Sequence, residues 1–175
     1  MAVDESLAFK PVRIALLTVS DTRTLAEDTS GDILAQRIAA AGHELVVREI
    51  SHDDVNEIDA HLHRWIEDES IDCVICTGGT GLTGRDVTPE ALDRVKSKDV
   101  PGFGELFRWL SYETIGTSTI QSRACAVVAR GTYIFALPGS NGAVKDGWDK
   151  ILIHQLDSRY RPCNFVELMP RLRER

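Results

Sequence analysis

The residues best placed to do chemistry lie in one stretch, Thr77-Gly-Gly-Thr-Gly-Leu-Thr-Gly-Arg-Asp-Val-Thr-Pro-Glu-Ala91. Gly78, Gly79 and Gly81 have no Cβ, so the backbone there can take positive φ and bring its N–H groups close to a ligand. Thr77 and Thr80 add hydroxyls. Thr88 is expected to cap a helix that opens at Pro89, with Glu90 in its first turn. Bare backbone leading into a helix start can hold an anion with few bases.

Two familiar phosphate motifs nearly fit this loop. Gly79-x-Gly81-x-x-Gly84 has the dinucleotide spacing, but that fingerprint keeps its third glycine inside the helix and sits on the first strand of its unit. Here Arg85, Asp86 and a Thr-Pro helix start come after Gly84. Read as a P-loop, Gly79 to Gly84 lacks the essential Lys and Ser/Thr, because Arg85 and Asp86 occupy those places.

Two other candidates are weaker. Cys73 and Cys76 have C-x-x-C spacing, yet they sit in an apolar strand, where side chains alternate and the two thiols point to opposite faces. His61 and His63 are two apart on an expected helix and cannot share an ion.

The elements around the loop read as alternating strands and helices. Val12 to Val19 is a continuous apolar run suited to a central strand, and Ser30 to Ala41 has helical spacing with a stop at Gly42. Strands at Glu44 to Ile50 and Ile71 to Cys76 flank an amphipathic helix from Asp54 to Asp68. Phe103, Leu106, Phe107 and Leu110 mark a further helix, Tyr133 to Leu137 a strand, and Val144 to Leu156 a closing helix. The alternation predicts a three-layer αβα sandwich with a mostly parallel sheet and the glycine loop at its carboxyl edge.

Composition sets the limits. The 175 residues suit a single domain, 1–175, with peripheral tails at 1–11 and 163–175. Hydrophobic content of 43% and charged content of 27% are globular values. A net charge of −7 argues against nucleic acid as a partner. The first ten residues carry acids where a secretory leader has bases, and no apolar run nears the roughly 20 residues that span a membrane, so a cytoplasmic location is expected.

Several blocks in order extend this reading: Val19-Ser-Asp21, Glu27-Asp-Thr-Ser-Gly31, Thr77-Gly-Gly-Thr-Gly81, Arg85-Asp-Val-Thr-Pro-Glu-Ala91, Pro101-Gly-Phe-Gly-Glu-Leu-Phe-Arg108, Gln121-Ser-Arg123 and Leu137-Pro-Gly-Ser140. With these the chain resembles the MoaB/MogA family of molybdenum-cofactor biosynthesis, which includes gephyrin-like domains, and most of all its MoaB branch. The resemblance implies binding of molybdopterin, a pterin with a dithiolene and a terminal phosphate, and transfer of AMP from ATP to that phosphate. It implies that Thr77, Gly78, Gly79, Thr80 and Gly81 hold the pterin ligand, with Asp86 and Asp53 as catalytic carboxylates and magnesium ligands. Ser20, Asp21, Arg85, Ser122, Arg123, Gly139 and Ser140 would line the same cleft. Homotrimeric or homohexameric assembly is also implied.

The residue types suit nucleotidyl transfer, which needs positioning and charge neutralisation more than covalent help. Two carboxylates facing ATP without metal would repel it by about 4 kcal/mol per close pair at roughly 4 Å and an effective dielectric near 20, so Asp53 and Asp86 imply Mg2+. Arg85, Arg123 and Lys145 are candidates to offset phosphate charge. A plainer alternative stays open, in which Asp86 caps the loop and Arg85 pairs with Glu90. His52 stands where many relatives have proline before the aspartate, and Asn141-Gly142 follows the Leu-Pro-Gly-Ser block. Rival functions are a non-catalytic pterin carrier and a nicotinamide-dependent oxidoreductase.

Overall fold

The computed structural model describes residues 2–174; Met1 and Arg175, the outermost residues of the two expected tails, lie outside them. Strand β1 (Arg13–Val19) leads through a loop to helix α1 (Thr29–Ala40), followed by β2 (Glu44–Ser51), α2 (Val55–Glu67) and β3 (Cys73–Thr77). Then come α3 (Thr88–Val95), a two-residue strand β4 (Lys98–Asp99), α4 (Pro101–Ile115) and a 3-10 turn over Gly116–Gln121. The hairpin β5 (Cys125–Ala129) and β6 (Thr132–Leu137) precedes α5 (Asn141–Gly147), a π turn over Trp148–Leu152, α6 (Ile153–Gln155) and α7 (Phe165–Leu168).

The six strands run in the order β2-β1-β3-β6-β5-β4. The first four are parallel; at one edge β5 pairs antiparallel with β6, and the short β4 pairs antiparallel with β5, so that β5 alone runs against the rest. Helices cover both faces. One core joins Ile14, Leu16, Cys73 and Phe135 to α1, α4 and the closing helical segment. The other joins Leu17, Val74, Cys76 and Ile134 to α2 and α3. The result is the expected three-layer sandwich, and Cys73 and Cys76 are buried in opposite cores.

The pairing of β5 with β6 was not foreseen. Its connector, Arg130-Gly131, has φ of +49° and +100°, as a two-residue hairpin turn needs, but arginine is an unusual first residue there. The expected C-terminal tail contributes to the interior, because Asn164 and Val166 are buried and the Phe165 ring lies 4.7 Å from that of Tyr133. Among the described residues no helix is long and apolar enough to cross a membrane.

Register places the site. Thr18, Thr77 and Leu137 are register partners across β1, β3 and β6, and Val19 is level with Ser51 of β2. The loops that follow these strands therefore leave the sheet side by side. From β1 the chain turns to β2 on one side, and from β3 it crosses by α3 to β4 at the other edge. The crevice between β1 and β3 is thus the switch point at which open α/β sheets take ligands.

Candidate functional site

At that edge a cavity of about 340 Å³ opens between the loop after β3, the loop after β6 and the C-terminal half of α4. Such a volume suits a small-molecule ligand. Gly79, Thr80, Gly81 and Asp86 form one wall, and Gly139 and Ser140 form another. Ser122 contributes from the segment before β5. The third wall was missed by sequence reasoning: Phe107, Ser111 and Thr114 of α4, with Thr119 and Gln121 of the 3-10 turn. A signal for it was available, since Ser111 and Thr114 follow Phe107 at helical spacing and Ser111 is a buried hydroxyl on an otherwise apolar face.

The glycines have distinct jobs. Gly78 has φ +105°, and a Cβ there would meet the Val19 carbonyl at 2.2 Å, so only glycine lets the β3 tip cross the β1 tip. Gly79 also has positive φ, at +62°, but Gly81 does not. Gly81 instead leaves room for the Asp86 carboxylate, which would lie 2.8 Å from an added Cβ. Among the described residues, the N–H groups of Gly79 and Thr80 donate to no protein acceptor.

Asp86 is fixed by its own turn. Its Oδ2 accepts from the Thr83 hydroxyl at 2.6 Å and from the Thr83 N–H at 2.8 Å. The hydroxyl, with the backbone N–H groups of Thr83 and Gly81, holds this carboxyl below the usual range. Asp53 is the opposite case. Burial, then the neighbouring charges of Asp21 and Asp86, push its pKa up. Asp53 Oδ2 accepts from the Asp21 N–H at 3.1 Å, and Asp21 Oδ1 accepts from the Asp53 N–H at 3.0 Å. The mostly exposed Arg85 reaches Asp21 at 3.4 Å, so its partner is Asp21 rather than Glu90.

Other expected site residues act through neighbours. Thr77 is buried, and its hydroxyl donates to the Pro138 carbonyl at 3.3 Å. The Ser20 hydroxyl accepts from the Thr22 and Arg23 N–H groups, turning the loop after β1. Arg23 then spans that loop's surroundings, donating to Ser30 and to the Gly139 carbonyl. The Thr88 cap is corrected: its hydroxyl donates to the Gly78 carbonyl at 2.8 Å, so it ties the loop to α3 instead of capping the helix. The Arg123 guanidinium donates to the Gly81 and Asp86 carbonyls and to the Glu90 carboxylate. Lys145 is exposed and outside the cavity lining.

A buried acid not singled out from sequence anchors the adjoining loop. Asp28 caps α1 through the Gly31 N–H, accepts from Thr18 at 2.6 Å and pairs with Arg48 at 2.9 Å. Burial pushes its pKa up, but these partners outweigh burial and hold it below the usual range. His61 and His63 have separate partners, Glu49 and Asp59. Among the described residues no three His, Cys, Asp or Glu side chains gather as a metal cage.

The family model described as a probable molybdopterin binding domain matches residues 15–158. The chain belongs to this family, that of MoaB and MogA. It is 49% identical over 160 residues to molybdenum cofactor biosynthesis protein B of Escherichia coli (strain K12), covering 91% of this chain and 94% of that protein. It is 43% identical over 159 residues to the protein of the same name in Bacillus subtilis (strain 168), covering 89% and 94%. A crystal structure of a molybdenum cofactor biosynthesis protein B superposes with a TM-score of 0.86 at 36% identity, covering 97% of this chain and 100% of that one. The tungsten cofactor synthesizing protein MoaB from Pyrococcus furiosus gives 0.78 at 33% identity, covering 95% and 100%. Membership in the MoaB/MogA family places the chain in molybdenum-cofactor biosynthesis.

Proposed function

We propose that the chain binds molybdopterin in this cavity and transfers AMP from ATP to its terminal phosphate. The observation that carries the reading is the wall itself: uncommitted N–H groups at Gly79 and Thr80 beside Asp86, with hydroxyls around them and no Lys or Arg in the lining. Such a surface suits a neutral polar ring system bearing a phosphate, held by backbone and hydroxyl donors. In the transfer, a phosphate oxygen of molybdopterin attacks the α-phosphorus of ATP. The bond from that phosphorus to the bridging oxygen breaks, and pyrophosphate leaves with the electron pair.

Asp86, which lines the cavity, and Asp53, which stands outside its lining, are the carboxylates that would hold Mg2+. Each has one oxygen tied to backbone N–H, Asp86 through Thr83 and Asp53 through Asp21, which fixes its aim. Two carboxylates suffice because Mg2+ in such sites completes its shell with water and substrate phosphate. When bound, the ion supplies charge neutralisation between acids and phosphates. Arg85, weakly paired and exposed, is free to turn toward ATP.

The test combines pure protein, molybdopterin and MgATP, with pyrophosphate and adenylylated product both measured. Product formation supports the reading. Pterin binding without pyrophosphate makes the chain a non-catalytic carrier, and quenching of NADH fluorescence would point to the oxidoreductase alternative. Assembly as a homotrimer or homohexamer belongs to the same proposal. It is supported by exposed Leu106, Trp109 and Tyr112 on the outer face of α4, and light scattering would check it.

A further inference from the structure

The contacts of Arg123 suggest a role different from anion binding. Its N–H donates to the Thr80 carbonyl at 3.0 Å. Its Nε donates to the Gly81 carbonyl at 2.7 Å, its Nη2 to the Asp86 carbonyl at 2.5 Å, and its Nη1 to the Glu90 carboxylate at 2.5 Å. One residue therefore grips both ends of the Gly81–Asp86 turn and the first turn of α3. Only a planar fork can reach acceptors in these several directions, and lysine has no equivalent. Its charge is balanced by Glu90, and Arg123 is absent from the cavity lining, so it faces the loop from behind.

The grip fixes orientation as well as position. A trans peptide points its C=O and N–H in opposite directions. With the Thr80 carbonyl turned to Arg123, the Gly81 N–H faces the other side, where the Asp86 carboxylate accepts from it. We propose that Arg123 is a positioning residue that sets where the Asp86 carboxylate stands at the cavity lip, without touching the ligand. The catalytic part of this inference rests on the adenylyl-transfer reading, whereas the clamp itself does not.

The test measures Arg123→Lys in two ways. Hydrogen exchange is followed at the amides of Thr83 and Asp86, which are bonded across the turn. Steady-state kinetics are measured with varied MgATP. A clamp predicts exchange about tenfold faster at those amides and kcat lower by about tenfold or more, with the KM for MgATP changed less than about twofold. Unchanged exchange overturns the proposal, and so does a raised KM at unchanged kcat, which would make Arg123 a phosphate ligand. If the wild type makes no product yet the amides still loosen in the variant, the clamp stands and the transfer reading fails. Should Arg123→Lys not fold, Glu90→Ala removes one partner of the fork, and faster exchange at the same two amides is expected. No change there overturns the clamp.

Discussion

Asp21 and Asp53 hold each other reciprocally, each backbone N–H donating to the other's carboxylate at 3.1 and 3.0 Å. The loops after β1 and β2 are thereby joined by two acids whose charges oppose one another. Burial, with Asp21 next and Asp86 after it, raises the pKa of Asp53. An acid with a raised folded pKa gives stability that is present below its unfolded pKa and lost as pH rises through the folded one. Asp53→Asn keeps the acceptor for the Asp21 N–H and removes the charge. Its Tm should exceed that of the wild type by about 1–3 °C at pH 7.5 and by less at pH 4, while adenylyl transfer is lost. Thermal unfolding at the two pH values checks the sign.

Asp86→Asn should lower kcat by about a hundredfold or more with pterin affinity nearly unchanged, because the amide keeps an oxygen for Thr83 but carries no charge. Fluorescence titration with molybdopterin beside the pyrophosphate assay separates the two effects. The Thr83 hydroxyl is first among the contacts that hold the Asp86 carboxyl low, so wild-type activity should show no loss from this group between pH 5 and 8.

Gly78→Ala places a Cβ against the Val19 carbonyl at a positive φ. A loss of about 2–4 kcal/mol is expected, read from urea unfolding. Gly84→Ala, where an added Cβ meets nothing within 4 Å, should change stability by less than about 1 kcal/mol.

Asp28→Ala leaves Arg48 half-paired next to a buried site and uncaps α1. About 3–5 kcal/mol of stability should go, enough to expose the adjoining loop to proteolysis. In the wild type the Asp28 contribution is present above the unfolded carboxyl pKa and is lost as pH falls through its lowered folded value. Urea midpoints at pH 7 and pH 3.5 should therefore differ more for the wild type than for the variant.

The parallel half of the sheet was legible because its strands and helices alternate with clean periodicity. Val12 to Val19 and Ser30 to Ala41 match β1 and α1 to within a residue or two at each end. β5 was not, since Ala124 to Ala129 is too short for periodicity to decide and Arg130-Gly131 is not a common hairpin turn. At the site, the glycine loop announced itself by composition. Thr88 was misread because sequence shows that a residue can donate but not which of several carbonyls lies within reach. The α4 wall was missed for a related reason: Phe107, Ser111 and Thr114 read as an ordinary packed face until the neighbouring loops are placed over it.

The level ends of β1, β3 and β6, with Thr18, Thr77 and Leu137 in one row, make pocket assembly an all-or-nothing event. A slip of β3 by a single residue would carry its loop about 3.3 Å along the strand axis and turn each of its side chains to the opposite face. Ligand competence should then emerge during refolding together with the last central pairing rather than before it, so that pterin capture would report when the middle of the sheet has locked.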